Sequence, residues 1–388
     1  MSASVVAAAA ARGRVRVATY NVLSQTLARG DHFASCAPAA LDPAARLERV
    51  KAKLEDEVER GSVVCLQEVS MSWAGELHTF FDRRGYTFLE TLYSSPFSDY
   101  MGVGLAVPRE RYELAGVQIK RIADAKAWPA ELDEAVDAEG IVGKGKRKRR
   151  GGVGGVLKGA LRLPIRLWRA VVGGGSGGDG SGGAGPPAWM AGEKKKARSA
   201  YQHWLDSRRR NNRAIGVRLR DVRSSSEFVV ATYHMPCMFW DLKAMTIHSA
   251  LVGQWAQGYA DGAPLCLAGD FNIKPGDPAY DLLTQGDLDE ASEGYPTPVD
   301  WEPWRPKLQS KFDSAYLQVD GREPDFTNYA KIKEDEPFID TLDYLFVGNG
   351  MRATAALPLA HRDDVDALSF PTEDEPSDHV LIAADMEY

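Results

Sequence analysis

Six short segments of the chain carry carboxylate, amide and imidazole side chains, the groups that can hold a cation or move a proton. We interpret five of them as strand ends and the sixth, which contains Asp343, as preceding the last strand. The segments are Tyr20-Asn21-Val22-Leu23, Leu66-Gln67-Glu68-Val69, Thr232-Tyr233-His234, Gly269-Asp270-Phe271-Asn272, Asp340-Thr341-Leu342-Asp343-Tyr344-Leu345-Phe346 and Ser377-Asp378-His379. Because ligands of α/β sheets bind where loops converge beyond strand ends, we expect these side chains to form one site.

The residue types in these segments match the needs of phosphate ester cleavage. A hard cation must polarise the phosphoryl oxygens, and Glu68 is the natural carboxylate ligand for Mg²⁺, with Mn²⁺ as an alternative. Asp270 is suited to orienting and deprotonating a water molecule, and Asn272 to holding that water or a phosphoryl oxygen. The candidate donors to the transition state are His379 and His234, with Asp343 as the carboxylate that fixes the tautomer of His379.

Each motif alone has a purely structural interpretation. A strand-end amide such as Asn21 is usually a turn residue or a helix cap, and a carboxylate such as Glu68 is often solvated. The motifs that begin at Gly269 and Ser377 also occur as ordinary turns and caps. The prediction of a site therefore depends on the joint occurrence of all six segments in this order.

Apolar periodicity places these segments on alternating strands and helices. The predicted strands are Val15–Thr19, Val63–Leu66, Val103–Val107, Tyr112–Ile119, Arg213–Leu219, Glu227–Thr232, Pro264–Ala268, Thr341–Val347 and His379–Met386. The predicted helices are Leu41–Arg60, Trp73–Arg84, Asp241–Gln257 and Asp277–Leu283. Strands that alternate with helices from end to end predict one α/β domain over residues 1–388.

Residues from about 125 to 200 interrupt this alternation. The stretch contains a Lys/Arg run from Lys144 to Arg150, a Gly/Ser tract from Gly173 to Gly185 and three lysines at 194–196. Such a composition cannot bury a core. We therefore expect a flexible, basic insertion between two strands rather than a linker between domains.

Charge is distributed unevenly along the chain. The formal net charge is −7, but residues 144–198 carry 14 Lys and Arg against 2 Asp and Glu, a net of +12, which leaves −19 on the rest. A body this acidic repels a polyanion unless metal ions or local cations offset its charge. The pattern is compatible with a metal site and argues against broad nonspecific binding of duplex DNA.

The basic insertion leaves several interpretations open. A helix predicted over Val156–Val172 has a basic face, although Pro164 weakens or kinks it. The residues of that face are Lys158, Arg162, Arg166 and Arg169. Such a helix can lie on an anionic membrane or dock on a partner, and the run Lys144–Arg150 can bind RNA phosphates or act as a nuclear address. The remaining interpretation is a disordered, solvated loop.

The composition is that of a soluble globular protein, with 388 residues of which 44% are hydrophobic and 26% charged. No run of 18 or more uncharged apolar residues is present, and Met1–Ala11 lacks the basic segment of a secretory signal. We therefore expect an intracellular, cytoplasmic protein. The cysteines, which we expect to be reduced thiols, are Cys36, Cys65, Cys237 and Cys266.

Taken in this order, the six motifs resemble those of the endonuclease/exonuclease/phosphatase superfamily. The likeness covers about Val15–Asp124 and Asn211–Tyr388. It implies a DNase I-like fold, which is a four-layer α/β sandwich with two central mixed β-sheets. It also implies Mg²⁺ coordination by Glu68, with Asn21 and Asp378 as the further candidate metal ligands. The residues that it places around the scissile phosphate are Asn21, Asp270, Asn272, Asp343, Asp378 and His379, with His234 contacting the phosphate.

Within the superfamily, the motifs most resemble the deadenylase branch of carbon catabolite repressor 4-type nucleases, nocturnin and the 2′-phosphodiesterases. The resemblance rests on Tyr20–Ser24, Leu66–Val69 and Asp325–Tyr329. In that branch the Phe of the Phe-Thr-Asn segment packs against a base, and simple core packing is the alternative. The substrate-binding candidates are Phe326, as the stacking residue, Asn328 and Asn212.

The resemblance implies a Mg²⁺-dependent 3′→5′ exoribonuclease or nucleotide phosphatase that acts on RNA or a nucleotide by water attack on phosphorus. The basic insertion favours an alternative, a membrane-associated lipid phosphodiesterase or phosphatase of the same superfamily. A catalytically inactive binding module is a third interpretation. The loop Ile273–Asp277 departs from the branch and leaves the substrate open. No leucine-rich repeat precedes the catalytic body, so the assembly partners that such repeats recruit are not implied.

Overall fold

The computed structural model describes residues 13–130, 132, 201–300, 302–332 and 335–388. Its strands are β1 (Arg14–Asn21), β2 (Val63–Val69), β3 (Tyr86–Leu92), β4 (Gly102–Pro108), β5 (Tyr112–Arg121), β6 (Arg213–Asp221), β7 (Glu227–His234), β8 (Leu265–Asp270), β9 (Asp313–Ser314), β10 (Asn328–Ala330), β11 (Phe338–Asp340), β12 (Asp343–Gly348), β13 (Arg352–Ala356) and β14 (Ile382–Glu387). Its helices are α1 (Pro38–Leu41), α2 (Pro43–Glu59), α3 (Met71–Asp82), α4 (Gln202–Arg209), α5 (Leu242–Ala260), α6 (Pro278–Gln285) and α7 (Ala315–Asp320). Short 3₁₀ turns lie at Pro96–Ser98, Ile122–Asp124 and Arg362–Asp364.

Two six-stranded sheets form the centre of the molecule. The first has the order β13-β14-β1-β2-β4-β3, the second has the order β5-β6-β7-β8-β12-β9, and β10 pairs with β11 separately. Both large sheets are mixed, because β1 runs parallel to β2 and β7 runs parallel to β8, whereas their other neighbours are antiparallel. The two central mixed sheets of the predicted fold are thereby confirmed.

The sheets pack face to face because each strand alternates two sets of apolar side chains. On β1, Val17 lies in the core between the sheets, whereas Ala18 lies in the core that α2 and α3 cover. On β8, Cys266 lies in the core between the sheets, whereas Leu267 packs beneath α5 and α6. Helices, two sheets and helices therefore form four layers, as predicted.

Local signals set the ends of the long helices. Asp42 caps α2 by accepting a hydrogen bond from Ala45 N, and Asp241 caps α5 by accepting one from Ala244 N. The chain leaves α5 through Asp261 in the left-handed conformation (φ 46°). These caps fix where α2 and α5 begin on the outer faces of the two sheets.

The predicted elements are confirmed with shifts of a few residues at their ends, but one interpretation is wrong. The segment Ser377-Asp378-His379 does not end a strand; it lies before β14 and pairs with the stretch that leads into β10. Tyr329 N donates to Asp378 O and Val380 N donates to Thr327 O, both at 2.8 Å. The prediction also missed several shorter or edge elements, namely α1, β3, α4, β9, α7, β10, β11 and β13. Asp343 opens β12, which is followed by two further strands.

The described residues at the start of the predicted insertion are packed. Lys126 Nζ lies 2.6 Å from Glu302 Oε2 and 4.1 Å from the centroid of the Trp128 ring, and Leu132 is 2% exposed. The predicted start of a flexible insertion at residue 125 is therefore too early. The basic residues 144–198, including the helix predicted over Val156–Val172, lie outside the described residues.

Two further expectations can be compared with the described part of the chain. No helix there has both the length and the apolar character that crossing a membrane requires. No disulfide joins the four cysteines, all of which the structure describes. Cys65 and Cys266 are buried within β2 and β8, where a thiol packs as a small apolar group.

Candidate active site

The register of the second sheet aligns three of the predicted side chains at one edge. His234 ends β7 opposite Asp270, and Asp343 begins the antiparallel β12 opposite the same residue. His234 Nε2 lies 3.5 Å from Asp270 Oδ2. All three side chains are buried. Because Asp270 is flanked on both sides by paired strands, the sheet itself fixes the spacing of this half of the site.

The first sheet supplies Asn21 and Glu68 at the ends of its two parallel strands. Asn21 pairs in register with Gln67, the residue before Glu68. The fully buried Gln67 donates from Nε2 to Thr19 Oγ1 (2.9 Å) and, across to the second sheet, to Thr232 Oγ1 on β7 (3.0 Å). This bond joins the sheets one residue below Glu68, so the two edges face each other.

One amide nitrogen joins the two halves of the site. Asn21 Nδ2 donates to Glu68 Oε1 (3.3 Å) and to Asp270 Oδ2 (2.9 Å), and it lies 3.5 Å from His379 Nε2. Exchanging the positions of the amide oxygen and nitrogen would break a further hydrogen bond, because Asn21 Oδ1 accepts from Leu23 N at 3.0 Å. The residues predicted to hold a metal, to activate water and to stabilise the transition state therefore meet around a single atom.

His379 is held by a carboxylate behind its ring. His379 Nδ1 lies 2.7 Å from Asp343 Oδ2, and Thr327 Oγ1 donates to the same oxygen at 2.7 Å. The opposite ring nitrogen, Nε2, is 3.8 Å from Asp270 Oδ2. Burial alone would lower the pKa of His379, but the carboxylates of Asp343 and Asp270 outweigh burial and raise that pKa well above its usual value. These carboxylates therefore favour the protonated form of His379.

Asp378 adds another buried carboxylate beside Glu68. The pKa of Asp378 is raised to about 6, mainly by burial and also by the charge of Glu68, whereas His379 and Arg46 act in the opposite direction. Ser377 Oγ donates to Asn21 O at 2.7 Å, which ties this segment to the end of β1. Several carboxylates buried close together repel one another, and a bound cation relieves this repulsion.

The backbone is strained at three positions along this edge. Leu23, Glu68 and Asn272 have φ angles of 52°, 58° and 52°, in the left-handed region that non-glycine residues seldom adopt. Side-chain hydrogen bonds hold these turns: Glu68 Oε2 accepts from Ser24 N at 2.8 Å, and Asn272 Nδ2 donates to Met235 O at 2.9 Å. Strain of this kind is typical of functional sites, where the surrounding structure imposes a geometry on the side chains.

Several buried polar atoms of the site have no hydrogen-bond partner among the described residues. They are His234 Nδ1, Asp343 Oδ1 and Asn328 Oδ1. Leaving such an atom unsatisfied costs about 1–3 kcal/mol, and in native proteins a water, an ion or a ligand usually meets it. Their concentration at one edge indicates a place where bound groups complete the structure.

The donor set fits a hard divalent cation. Asp270, Asp343 and His379 offer ligand atoms within 4.8 Å of one another. Asp343 and His379 already bond to each other, however, so the oxygens that remain for Mg²⁺ are those of Glu68, Asp270 and Asp378. The predicted ligand Asn21 turns its nitrogen toward these carboxylates, which favours a role as donor.

The substrate-binding candidates lie in different surroundings. Asn212 Nδ2 donates to His234 O at 2.8 Å, which places this half-buried side chain beside the site. Asn328 is 4% exposed, and its backbone forms a bridge with that of His379.

Phe326 is packed into the protein. It is 2% exposed, and its ring centroid lies 5.4 Å from that of Tyr329 and 6.5 Å from that of Phe370. A ring covered in this way has no free face for a base. The structure therefore favours the core role that the sequence left open for Phe326.

Sequence reasoning missed two buried residues that support the site. Thr327, which is fully buried, orients Asp343 through its hydroxyl. Arg46, on α2, is also fully buried and hydrogen-bonds the loops that follow Asn21 and precede Asp378. A signal for Arg46 was present, because it lies four residues before Val50 on the apolar face of the predicted helix.

Comparison with known proteins finds relatives that are similar to parts of this chain. Nocturnin of Drosophila melanogaster is 27% identical over 183 residues, which are 46% of this chain and 28% of that protein. The CCR4-Not complex 3′-5′-exoribonuclease subunit Ccr4 of Aspergillus fumigatus is 32% identical over 137 residues, which are 34% of this chain and 18% of that protein. The matched segments thus span less than a third of either relative's own length.

Similarity to a solved structure and to a family model covers nearly the whole chain. The crystal structure of ANGEL2, a 2′,3′-cyclic phosphatase, superposes with a TM-score of 0.65 at 16% identity, covering 97% of this chain and 95% of that one, which shows a shared fold. The endonuclease/exonuclease/phosphatase family model matches residues 18–379, from β1 to His379. With its two mixed sheets and its polar strand ends, the chain belongs to the endonuclease/exonuclease/phosphatase family.

Proposed function

We propose that the protein hydrolyses phosphate ester bonds of RNA or a related nucleotide, with Mg²⁺ as the cofactor and Mn²⁺ as a substitute. The observation that carries this proposal is the contact of one Asn21 nitrogen with Glu68, Asp270 and the His379 ring. It gathers a carboxylate for a cation, a base for water and a cationic donor within one small volume. Those are the three requirements of water attack on phosphorus.

Glu68 and Asp378 are the residues that we propose hold the metal. Bound there, Mg²⁺ supplies Lewis-acid polarisation of the phosphoryl oxygens and offsets the charge that develops on them. Glu68 is fixed for this role by the bond from Ser24 N to its Oε2, which leaves Oε1 toward Asn21. With substrate bound, one of the two Asn21 N–H groups that meet Glu68 and Asp270 can donate to a phosphoryl oxygen instead.

Asp270 is the proposed base for the attacking water. Its Oδ1 accepts from Asn272 N at 2.9 Å, so the carboxylate is fixed in one orientation. Its other oxygen, Oδ2, then faces Asn21, His234 and His379. A carboxylate oxygen held at the centre of the site can orient a water molecule and accept its proton as the oxygen attacks phosphorus.

His379 and His234 are the proposed donors to the phosphate. The Asp343 carboxylate keeps His379 protonated, and a cationic imidazole stabilises the charge that accumulates on the non-bridging oxygens. His234 has an unsatisfied Nδ1 and an Nε2 beside Asp270, so it can contact the phosphate or the leaving oxygen. We place Asn212, which bonds His234 O, at the entrance for the substrate.

The names of the relatives and the negative charge of the catalytic body support the proposed substrate class. Ccr4 of Aspergillus fumigatus is named a 3′-5′-exoribonuclease, which supports attack on an RNA 3′ end as the finer proposal. ANGEL2 is named a 2′,3′-cyclic phosphatase, so a terminal nucleotide phosphate belongs among the substrates to be tested. The acidic body disfavours long, nonspecific contact with a polyanion, which again favours recognition of an end.

The test is hydrolysis by the full-length purified protein of poly(A), mixed-sequence RNA, RNA ending in a 2′,3′-cyclic phosphate, and NADP⁺. Each substrate is incubated with Mg²⁺, with Mn²⁺ and with EDTA. We expect cleavage of at least one substrate that EDTA abolishes and either cation restores. Absence of turnover on all four substrates with either metal rules the proposal out.

A matched pair of variants assigns the activity to this site. Glu68→Gln removes the charge of the proposed ligand, whereas Glu76→Gln makes the same change on an exposed residue of α3 that pairs with Lys51. We expect Glu68→Gln to lose turnover and Glu76→Gln to keep it, with both proteins folded by circular dichroism. Turnover by Glu68→Gln with unchanged metal dependence contradicts the ligand assignment.

A further inference from the structure

Arg46 connects two loops of the site that come from opposite ends of the chain. Its Nη2 donates to the carbonyl oxygens of Val22 (2.8 Å) and Leu23 (2.7 Å), directly after Asn21. Its Nε donates to the carbonyl oxygen of Pro376 (2.7 Å), two residues before Asp378. One side chain on α2 therefore sets the separation of the segment that carries Asn21 from the segment that carries Asp378 and His379.

The guanidinium is unusual for a residue with a purely structural role. Arg46 is completely buried, and in the part of the chain that the structure describes its side chain donates to carbonyl oxygens rather than to a carboxylate. Its Cζ lies 5.2 Å from the centroid of the Trp73 ring, within the range of a cation–π contact. The hydrogen bonds of its Nε and Nη2 go to backbone carbonyls of the two site loops, whereas Nη1 has no partner among the described residues. The carbonyls therefore offset part of the cost of burying this cation.

The electrostatics support a link to the site. Burial lowers the pKa of Arg46 to about 10, while the nearby Tyr20, Asp378 and Glu68 act in the opposite direction, so the side chain remains charged at neutral pH. The carboxylates that compensate this buried charge are thus those proposed to hold the metal.

We propose that Arg46 is a positioning residue that holds the Asn21 and Asp378–His379 segments in the mutual arrangement that hydrolysis requires. The planar fork of donors is the reason for Arg at this position, because a lysine ammonium at the same place cannot reach both loops with fixed directions. The kinetic part of the inference rests on the proposed function, whereas its structural part does not.

The experiment compares Arg46→Met and Arg46→Lys with Arg16→Met. Arg16 is a matched control, because it too is buried, lies on β1 and makes two 2.8 Å bonds to Glu57, but it sits at the far end of the strand. We expect Arg46→Met to lower kcat about 100-fold with little change in KM, as misplacement of reacting groups does. The kcat of Arg46→Lys should lie between those of Arg46→Met and the wild type. Arg16→Met should lower the free energy of unfolding and retain kcat.

Chemical rescue distinguishes positioning from general damage. Added guanidinium at sub-denaturing concentration should restore part of the kcat of Arg46→Ala, because it refills the space with the same donors, and it should not change Arg16→Met. Equal loss of kcat in Arg46→Met and Arg16→Met together with no rescue of Arg46→Ala, or an unchanged kcat in Arg46→Met, overturns the proposal.

Hydrogen exchange tests the structural part independently of activity. In Arg46→Lys and Arg46→Met, peptides covering residues 20–24 and 376–380 should exchange faster than in the wild type, whereas in Arg16→Met the change should fall on residues 14–17. If the Arg46 variants leave the exchange of both site segments unchanged, the inference is overturned. This outcome does not depend on activity. Failure of the wild type to hydrolyse any of the substrates is a different result, and it contradicts the proposed function. If Arg46→Met does not fold, the Lys variant decides both readouts.

Discussion

His379 Nδ1 lies 2.7 Å from Asp343 Oδ2, and this contact controls the charge of the imidazole that faces Asp270. Asp343 raises the pKa of His379 against the opposing effect of burial. Because the folded-state pKa is raised, the stability that the pair contributes is complete below the unfolded pKa of about 6.5 and is lost as the pH rises through the folded value. The contact with Asp343 thus favours the cationic form of the ring.

Asp343→Asn should shift the pH dependence of activity. Without the carboxylate, burial dominates and the pKa of His379 falls, so the basic limb of the kcat profile should move to lower pH than in the wild type. The measurement is kcat at saturating substrate and Mg²⁺ across the neutral and alkaline range. Thr327→Val, which removes one hydrogen bond to Asp343 but keeps its charge, is the comparison and should move the limb less. A basic limb at the same pH in all three proteins excludes His379 as the titrating donor.

Asn21→Asp should increase the affinity of the site for Mg²⁺ and strongly reduce activity. The change replaces a donor to Glu68 and Asp270 by a further carboxylate. We expect kcat to fall by about 10²–10³-fold, as when a transition-state donor is removed. In EDTA the Tm should drop through like-charge repulsion, and added Mg²⁺ should raise it by more than in the wild type.

Asn349→Asp provides the control for that variant. Asn349 also has a left-handed backbone (φ 52°) and donates to a carbonyl, that of Ala263, but it lies in the turn between β12 and β13. Its substitution should leave the Mg²⁺-dependent change in Tm as it is in the wild type. An equal metal response in both variants means that Asn21 does not adjoin the cation.

The strand ends of the site could be predicted because the change from apolar to polar residues is local. β1, β7 and β8 each run as buried residues up to Asn21, His234 and Asp270. Parallel pairing of β7 with β8 then brings His234 and Asp270 to one edge. A continuous apolar run and the turn that follows it are visible in a single sequence, so this part of the site follows from the sequence pattern and sheet geometry.

The support of the site depends on contacts that no local pattern contains. The Ser377–His379 segment has no strand of its own, and its order comes from backbone bonds to Thr327 and Tyr329, about fifty positions earlier. Arg46 likewise meets Pro376 across most of the chain. Periodicity indicates which face a residue takes, but it does not indicate which distant segment will lie there, and the left-handed backbone of Glu68 is imposed by such contacts.

Loss of the hydrogen bond between Gln67 and Thr232 should lower kcat as well as stability, because this bond joins the two sheets beneath the site. Gln67→Met leaves both threonine hydroxyls without this partner, so we expect the free energy of unfolding to fall by about 1–3 kcal/mol. kcat should fall as well, since Asn21 and Glu68 lie on one sheet and Asp270 on the other.

A double-mutant cycle with Thr232→Val isolates this bond. If the two side chains act through one contact, the double variant should lose less stability and less kcat than the two single losses combined. Urea unfolding and steady-state kinetics measure the two quantities. Additive losses in both would show that the sheets are held together at this level by other contacts.

Phe326 offers the clearest choice between a role in substrate binding and a role in packing. It is 2% exposed against Tyr329 and Phe370, so Phe326→Ala should cost about 3–5 kcal/mol of unfolding free energy, as large-to-small changes in a core do. The folded enzyme should then keep a KM close to that of the wild type. A stacking role predicts the reverse: stability nearly unchanged and KM raised for nucleotides, because a base stacked on an aromatic ring gains about 1–3 kcal/mol. Urea unfolding, together with KM for a nucleotide substrate and for a ribose phosphate without a base, distinguishes the stacking role from the packing role. Phe312→Ala is the control, because it opens a cavity in the core beneath the second sheet and shows the effect of packing loss alone.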